Sequence, residues 1–257
     1  MPASRPLPWF KGPKLGPFGF RDETNRDIKF LEHLGGGAHA EVFRAVIDGS
    51  EYAIKLFRFL HPSLLVAQNL LEDGLVSIED VINQNDPFHC ECRAYGRLKE
   101  ANREDLAARC YGYVLLDQSH EDELARLGFD SWDRRAATKG RPIRAVVKEY
   151  IADDGDGPFT YEMLPRMRRD IQDLNRLGIV VWDVRADNYR AGRLIDFSQA
   201  HTVPHMELDW NSAIYSRSHV METCVRDLAC FDDMVEEWND EHPDPRSPEE
   251  LFVDPPE

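Results

Sequence analysis

One charged residue in the middle of an apolar helix face constrains the fold of this chain more than any other feature. Residues 87–102 have helical periodicity, with Asp86 as the predicted cap and Pro87 at the first position. The apolar positions of the helix share one face: Phe88, Cys92, Tyr95 and Leu98. Glu91 falls among them. Because a buried carboxylate is costly unless a cation meets it, the fold must bring a basic side chain to this helix.

The segments around this helix predict a small sheet. Three strand-like runs lie between about residues 28 and 58: DIKFLEHL, AEVFRAVI and EYAIKLFRF. The turn residues GGG and DGS separate them, and DGS is typical of a hairpin turn. Two further strand candidates follow the helix: ARCYGYVLL and IRAVVKEYI.

The remainder of the chain predicts two helices around a loop-rich stretch. The first helix covers about residues 160–177 and ends at Gly178, with one apolar stripe: Leu164, Met167, Ile171 and Leu174. The next stretch, GIVVWDVRADNYRAGRLIDFSQA, predicts a loop, a short hairpin that turns at Ala-Gly, and a second loop. The last helix covers about residues 219–238 and has a continuous apolar face: Val220, Cys224, Leu228, Phe231, Val235 and Trp238.

Composition predicts the domain organisation. Residues 1–20 are rich in Pro and Gly and predict an irregular arm, while residues 242–257 predict an acidic, Pro-rich tail. Between them we expect a single α+β domain over residues 21–241. Its N-lobe covers about residues 21–152 and its C-lobe about residues 153–241, and the acidic, glycine-containing run DDGDG forms the junction.

Charge and cysteine content restrict the function classes. The net charge is −16, which argues against DNA or a membrane surface as a partner unless a local basic patch exists. The five cysteines are scattered and do not resemble a disulfide framework. No stretch resembles a signal peptide or approaches membrane-spanning length. We therefore expect a cytoplasmic protein.

The β-rich part resembles the nucleotide-binding half of the protein-kinase superfamily. Residues 34–42, LGGGAHAEV, are similar to the Gly-rich loop over the ATP phosphates, which would use Gly35 and Gly37. Lys55, in the run YAIK, is similar to the strand lysine that holds the α- and β-phosphates, and Glu91 would be its ion-pair partner. The resemblance implies a two-lobed, protein-kinase-like α+β fold, with a small β-rich N-lobe and a shortened helical C-lobe.

The later part keeps a polar frame of the same superfamily. Asp183 and Asn188 have the five-residue separation of the kinase catalytic loop, and Asp196 stands where the metal-binding aspartate would be. Asn188 and Asp196 would then bind Mg²⁺, with ATP as the nucleotide. However, Ala40 replaces a loop glycine, Val-Trp-Asp replaces His-Arg-Asp, and no Ala-Pro-Glu motif follows. A phosphotransferase acting on a small molecule or a protein, and a non-catalytic scaffold, both stay open.

The last helix carries an acidic motif, Asp-Asp-Met-Val-Glu. On an ideal helix Asp232 and Glu236 are neighbours, and Asp233 points more toward solvent. Like charges at this spacing, and acid near the C-terminal end of a helix, both cost free energy. A bound cation or guanidinium would compensate for that cost. The alternative is that an acidic protein has an acidic, solvated helix.

Together with ECRAYGRL, WDVRADNY and LIDFSQA, this motif resembles a family of small fungal proteins that are often described as kinetochore-subunit-like. Some members are arginine-containing cyclodipeptide synthases of secondary metabolism with an Asp-Asp-x-x-Glu motif. The resemblance implies that arginyl-tRNA and a second aminoacyl-tRNA are joined to a cyclo(Arg-Xaa) diketopiperazine, without a cofactor. The catalytic candidates are Asp232, Asp233 and Glu236, with Asp183 of the kinase-like frame.

A basic segment would have to bind the RNA. Residues 134–148, RRAATKGRPIRAVVK, contain six basic residues and no acidic one. Arg166, Arg168 and Arg169 add further positive charge. Such a cluster is typical of a footprint on tRNA phosphates. A solvated basic loop is the alternative.

Overall fold

The computed structural model describes most of the chain: residues 5–22, 27–66, 68–152, 155 and 157–241. The predicted tail at 242–257 and most of the predicted interlobe junction lie outside the described residues. The chain has an α+β fold, as the sequence predicts. It divides into two compact units: Met1–Gly96 with Arg109–Tyr150, and Arg97–Ala108 with Ile151–Glu257.

The first unit contains a five-stranded antiparallel sheet. Its strands are β1 (Ile28–Gly36), β2 (Ala40–Ile47), β3 (Ser50–Phe57), β4 (Cys110–Leu116) and β5 (Ile143–Glu149), in the order β1-β2-β3-β5-β4. All five overlap the predicted runs, although β1 extends two residues past its run and β3 begins one residue earlier. The β2–β3 turn works as the DGS sequence predicts, because Asp48 and Gly49 both adopt positive φ angles of 53° and 80°.

In the part of the first unit that the structure describes, four helices begin: α1 (Gln68–Glu72), α2 (Ile78–Asn85), α3 (Pro87–Glu100) and α4 (Gln118–Arg126). The predicted cap of α3 is confirmed, since the Asp86 carboxylate accepts a hydrogen bond of 3.1 Å from the backbone N–H of Phe88. Ser77 caps α2 in the same way through the N–H of Asp80, at 3.0 Å. These side chains satisfy amide groups that a helix start leaves without an intrahelical partner.

The two faces of the sheet differ in chemistry. One face is apolar and carries Ile54 and Leu56 of β3 beside Ala145 and Val147 of β5, in the main hydrophobic core. The opposite face carries Lys55 and packs on α3 through ring contacts such as Phe57 with Phe88, whose centroids are 5.5 Å apart. The period of two along each strand therefore separates an apolar core from a partly charged one.

The N-terminal segment is irregular but attached to the first unit. Isolated β-bridges join Leu7 to Leu15 and Pro17 to Tyr113, and the Leu15 side chain is fully buried. The backbone of Lys14 passes so close to α3 that a Cβ atom on Gly96 would lie 2.6 Å from the Lys14 nitrogen. Glycine at this helix position is therefore required by close backbone approach.

The second unit is built on two helices and two short β-ladders. Helix α5 spans Leu164–Arg176, and all four residues of its predicted stripe are buried. The short strands are β6 (Ile179–Val180), β7 (Tyr189–Arg190), β8 (Arg193–Leu194) and β9 (His201–Thr202), and they pair as β6–β9 and β7–β8. The predicted Ala-Gly turn joins β7 to β8. Among the described residues, no helix is both long and apolar enough to cross a membrane.

The last helix, α6, spans Arg217–Glu241 and is longer than predicted. Its predicted apolar face is not continuous, because Cys224 is exposed. Thr223 and Asp227 are buried on that side instead. The reason is a hydrogen-bonding role of Asp227, which a hydrophobicity pattern does not detect.

We expect Gly96→Ala to destabilise the protein, although the same change in an open helix interior stabilises it by about 1 kcal/mol. The added methyl group would collide with the Lys14 backbone, and overpacking of this kind typically costs about 1–3 kcal/mol. Urea denaturation would measure the change. Gly19→Ala is the control, because nothing lies within 4 Å of its added Cβ; a stabilised Gly96→Ala protein would contradict the packing described.

Candidate functional site

The Glu91 carboxylate lies between two lysines inside the first unit. Its Oε2 atom is 2.9 Å from Lys55 Nζ, and its Oε1 atom is 2.7 Å from Lys148 Nζ. Glu91 is 0% exposed, and each lysine is 4% exposed. The predicted Lys55–Glu91 pair is therefore confirmed, and a second lysine completes a buried triad.

Strand register explains how the two lysines meet one carboxylate. Lys55 of β3 lies opposite Val146 of β5, and Lys148 lies opposite Ala53. The two lysines are thus diagonal neighbours on one face of an antiparallel pair, within reach of long side chains. Sequence reasoning missed this role of Lys148. The available signal was a lysine after three apolar residues in the run RAVVK.

The triad links three elements by charge. Taking three ionic groups out of water is expensive, and short contacts between opposite charges offset that cost only when the geometry is good. The arrangement holds β3, β5 and α3 together through the shared Glu91 carboxylate.

The Gly-rich turn between β1 and β2 encloses a carboxylate. Glu41 is buried, accepts a 2.8 Å contact from His33 Nε2, and forms an ion pair with Arg58. A Cβ atom on Gly36 would lie only 1.9 Å from the Glu41 carboxylate. The kinase resemblance expects phosphate at this turn, with Gly35 and Gly37, and this role stays a prediction.

The structure brings together Asp183 and Asn188 in the second unit. The Asn188 amide donates to the Asp183 carboxylate at 3.1 Å and to the Asp183 carbonyl at 2.8 Å. Asp196 accepts a 2.6 Å hydrogen bond from the N–H of Ser198. Within the part of the chain that the structure describes, no three His, Cys, Asp or Glu side chains form a group that could hold a metal ion. Roles of Asn188 and Asp196 as Mg²⁺ ligands stay a prediction.

Asp227 of α6 fixes the backbone before Asp183, and sequence reasoning missed it. Its Oδ2 atom accepts from Val181 N–H and the Asn175 amide, both at 2.7 Å, and its Oδ1 atom accepts from Trp182 N–H at 2.9 Å. Burial raises the pKa of the Asp227 carboxyl, while these hydrogen bonds act in the opposite direction. Both oxygens accept hydrogen bonds, so the ionised carboxylate suits the site.

An aromatic stack lies beside the same backbone. The Trp182 ring stacks on His201 at 4.9 Å between centroids, and His201 stacks on His205 at 3.9 Å. The Arg226 guanidinium lies 4.6 Å from the Trp182 ring centroid. Burial lowers the pKa of His201 to about 4, so this ring is neutral near pH 7.

The acidic motif of α6 lies at the surface. Asp232, Asp233 and Glu236 are all exposed. Arg168 of α5 reaches Asp232, with 3.3 Å between Nε and Oδ1. A guanidinium of the protein itself therefore compensates Asp232, as the charge argument requires.

The basic segment 134–148 is only partly available to a ligand. Arg134 contacts Glu121, Arg144 contacts Asp86 at 2.9 Å, and Lys148 belongs to the buried triad. Half of the six basic side chains thus have acidic partners within the first unit. These contacts weaken the case for a footprint on RNA.

Comparison with known proteins corrects the second resemblance. The family described as kinetochore Sim4 complex subunit FTA2 has a model that matches residues 3–201 of the chain. No curated protein matches it. The assignment to the cyclodipeptide synthases was therefore wrong, and so were cyclo(Arg-Xaa) synthesis, secondary metabolism, and arginyl-tRNA and a second aminoacyl-tRNA as partners. The kinetochore-like part of the resemblance agrees in part with the match. The motif at 232–236 lies outside the matched residues, so the family match gives it no support.

We expect Glu91→Gln to reduce the free energy of unfolding by about 3–5 kcal/mol, because it removes the buried carboxylate that both lysines contact. Urea denaturation at neutral pH measures the effect. Glu100→Gln on the same helix is the matched control, since Glu100 is exposed and its ion pair with Arg97 is 3.7 Å long. The control should lose less than about 1 kcal/mol. Equal losses in the two variants would show that the triad is not a major source of stability.

Asp227→Asn should destabilise the second unit by roughly 2–3 kcal/mol. In the variant the amide NH₂ would point at a backbone N–H, which in the wild type donates to a carboxylate oxygen. Hydrogen exchange at residues 181–183 should rise together with the loss of stability. The control is Asp232→Asn on the same helix, where an exposed ion pair is removed and the expected loss is below about 1 kcal/mol. Unchanged exchange in Asp227→Asn would contradict the anchoring role.

Proposed function

The chain belongs to the FTA2 family of kinetochore Sim4 complex subunits, and from this we infer that it is a structural, protein-binding subunit of a kinetochore complex. The family match over residues 3–201 carries the proposal. The partners would be other proteins of the complex. The site of action would be the kinetochore in the nucleus, whereas the sequence alone predicted a cytoplasmic protein.

We also propose that this subunit uses a protein-kinase-like plan as a scaffold. Three observations support the plan: the sheet order β1-β2-β3-β5-β4, the Lys55–Glu91 pair, and the hydrogen bond between Asn188 and Asp183. A shared plan does not imply a shared activity, because function depends on the site that a fold carries.

Two features of the first unit favour a scaffold over a phosphotransferase. The Glu41 carboxylate lies against Gly36, in the turn where a kinase would place phosphate. Lys148 competes with Lys55 for the single carboxylate of Glu91. Phosphotransfer with ATP and Mg²⁺ stays a prediction, supported by the intact Lys55–Glu91 pair.

The proposal predicts that the fluorescently tagged full-length protein co-localises with a centromere marker in its own organism. It should also co-purify with the other Sim4 complex subunits. Both results should persist in an Asp196→Asn variant, because a structural subunit does not need this carboxylate for catalysis. The tag alone is the control for background.

Two outcomes would contradict this function. The first is a diffuse distribution with no Sim4 subunit in the purified material. The second is Mg²⁺-dependent ATP turnover by the wild type that Asp196→Asn abolishes together with kinetochore function. The first outcome would show that the protein is not a structural subunit of the complex. The second would show that it acts as an enzyme.

A further inference from the structure

Helix α6 presents an apolar stripe to solvent in its N-terminal half. Met221 is 56% exposed and Val225 is 61% exposed, and Cys224 is exposed beside them. Leu228 is partly buried and follows on the same side. Spacings of four and three residues place Met221, Val225 and Leu228 on one face of a helix. We call these three residues the α6 stripe.

The N-terminal end of the α6 stripe is bordered by an aromatic and a basic residue. Arg217 lies one turn before Met221, and its guanidinium is 6.0 Å from the ring centroid of Trp210. Trp210 is itself 47% exposed. Tryptophan, arginine and methionine are enriched in protein–protein interfaces, and tryptophan and arginine dominate their binding energy. An exposed group of these three types has the composition that is typical of an interaction surface.

The C-terminal end of the α6 stripe is acidic. Asp232 and Glu236 continue the same face, and three more carboxylates flank it: Asp233, Glu237 and Asp240. From residue 227 to residue 241 the sequence contains seven acidic residues and no Lys or Arg. Carboxylates at a helix C-terminus oppose the helix dipole. Arg168 of α5 already pairs with Asp232, so Glu236 is the carboxylate of this face that a cationic group of a partner would meet.

We propose that the α6 stripe and its acidic end bind an amphipathic helix of another protein. That helix would present aliphatic residues at i, i+4 and i+7, with Lys or Arg residues opposite Glu236. The stripe lies outside the residues matched by the family, 3–201. The inference rests on the proposed role as a protein-binding subunit, and it identifies the chemistry of one partner.

The net charge of the protein favours a cationic helix of another protein over a second copy of the chain as the partner of this surface. Each copy carries a net charge of −16, so two copies repel each other. A cationic helix is attracted by the same field, which raises its association rate. Apolar contacts at Met221 and Val225 would then supply the affinity, because burial of apolar surface is the dominant favourable contribution to association.

The test is a binding titration of the full-length protein with a labelled synthetic helical peptide. The peptide has leucine at positions i, i+4, i+7 and i+11 and Lys or Arg at one end, and its control has the same composition in scrambled order. Fluorescence anisotropy measures both. We expect the wild type to bind the amphipathic peptide at least about tenfold more tightly than the scrambled one.

Substitutions locate the binding surface. Val225→Asp and Glu236→Lys should each weaken binding about tenfold, through loss of apolar contact and of charge complementarity. Glu236→Lys should also reduce the salt dependence. Glu222→Lys is the matched control, because it makes the same charge change at an exposed residue of α6 outside the stripe and its acidic end, and it should bind within about twofold of wild type. Circular dichroism confirms that the exposed substitutions leave the fold intact.

Three outcomes overturn the inference. Equal affinity for the two peptides would show that the surface does not recognise an amphipathic helix. Unchanged affinity of Val225→Asp would show that the peptide does not bind at the α6 stripe. A wild-type dimer in sedimentation that Val225→Asp converts to monomer assigns the surface to a second copy. If the protein still localises to the kinetochore in any of these cases, the proposed function stands although this inference fails. A protein that is diffuse in the cell but binds the peptide would contradict the proposed function and support the binding surface.

Discussion

The first unit depends on the ion triad of Lys55, Glu91 and Lys148. Glu91 has no exposed surface, so helix α3 can pack on the sheet only when cations from β3 and β5 reach its carboxylate. This requirement fixes the side of the sheet that α3 covers and the register between β3 and β5. The apolar face of the sheet is then left for the main core, which the strand period of two keeps separate from the charged face.

The second unit also buries a carboxylate on a helix, but hydrogen-bond donors rather than two lysines contact it. Asp227 is a buried carboxylate on a helix, and its partners are two backbone N–H groups and the Asn175 amide. Through these hydrogen bonds α6 holds the backbone that leads to Asp183. Each unit therefore contains one buried acid that organises the residues around it. The two acids secure structure, and this agrees with a scaffold role because neither requires a substrate.

Local features of the fold could be predicted with good accuracy, whereas the function of the site could not. The strands, the cap at Asp86 and the stripe of α5 follow from periodicity and turn chemistry, which act over a few residues. The acidic motif at 232–236 matched a local pattern too, but local patterns of five residues recur by chance. The family match replaced that interpretation, since it extends over residues 3–201 and samples long-range organisation.

The sequence by itself determined that Glu91 would be buried and would need a cation, because a carboxylate in an apolar stripe allows no other stable solution. It also indicated Lys55 as the partner. Only the tertiary structure decided that Lys148 shares the carboxylate, that the Glu41 carboxylate lies against Gly36, and that Asp227 rather than an apolar residue faces inward on α6. These contacts join residues far apart in the chain, and strand register and helix rotation, which set them, are properties of the packed molecule.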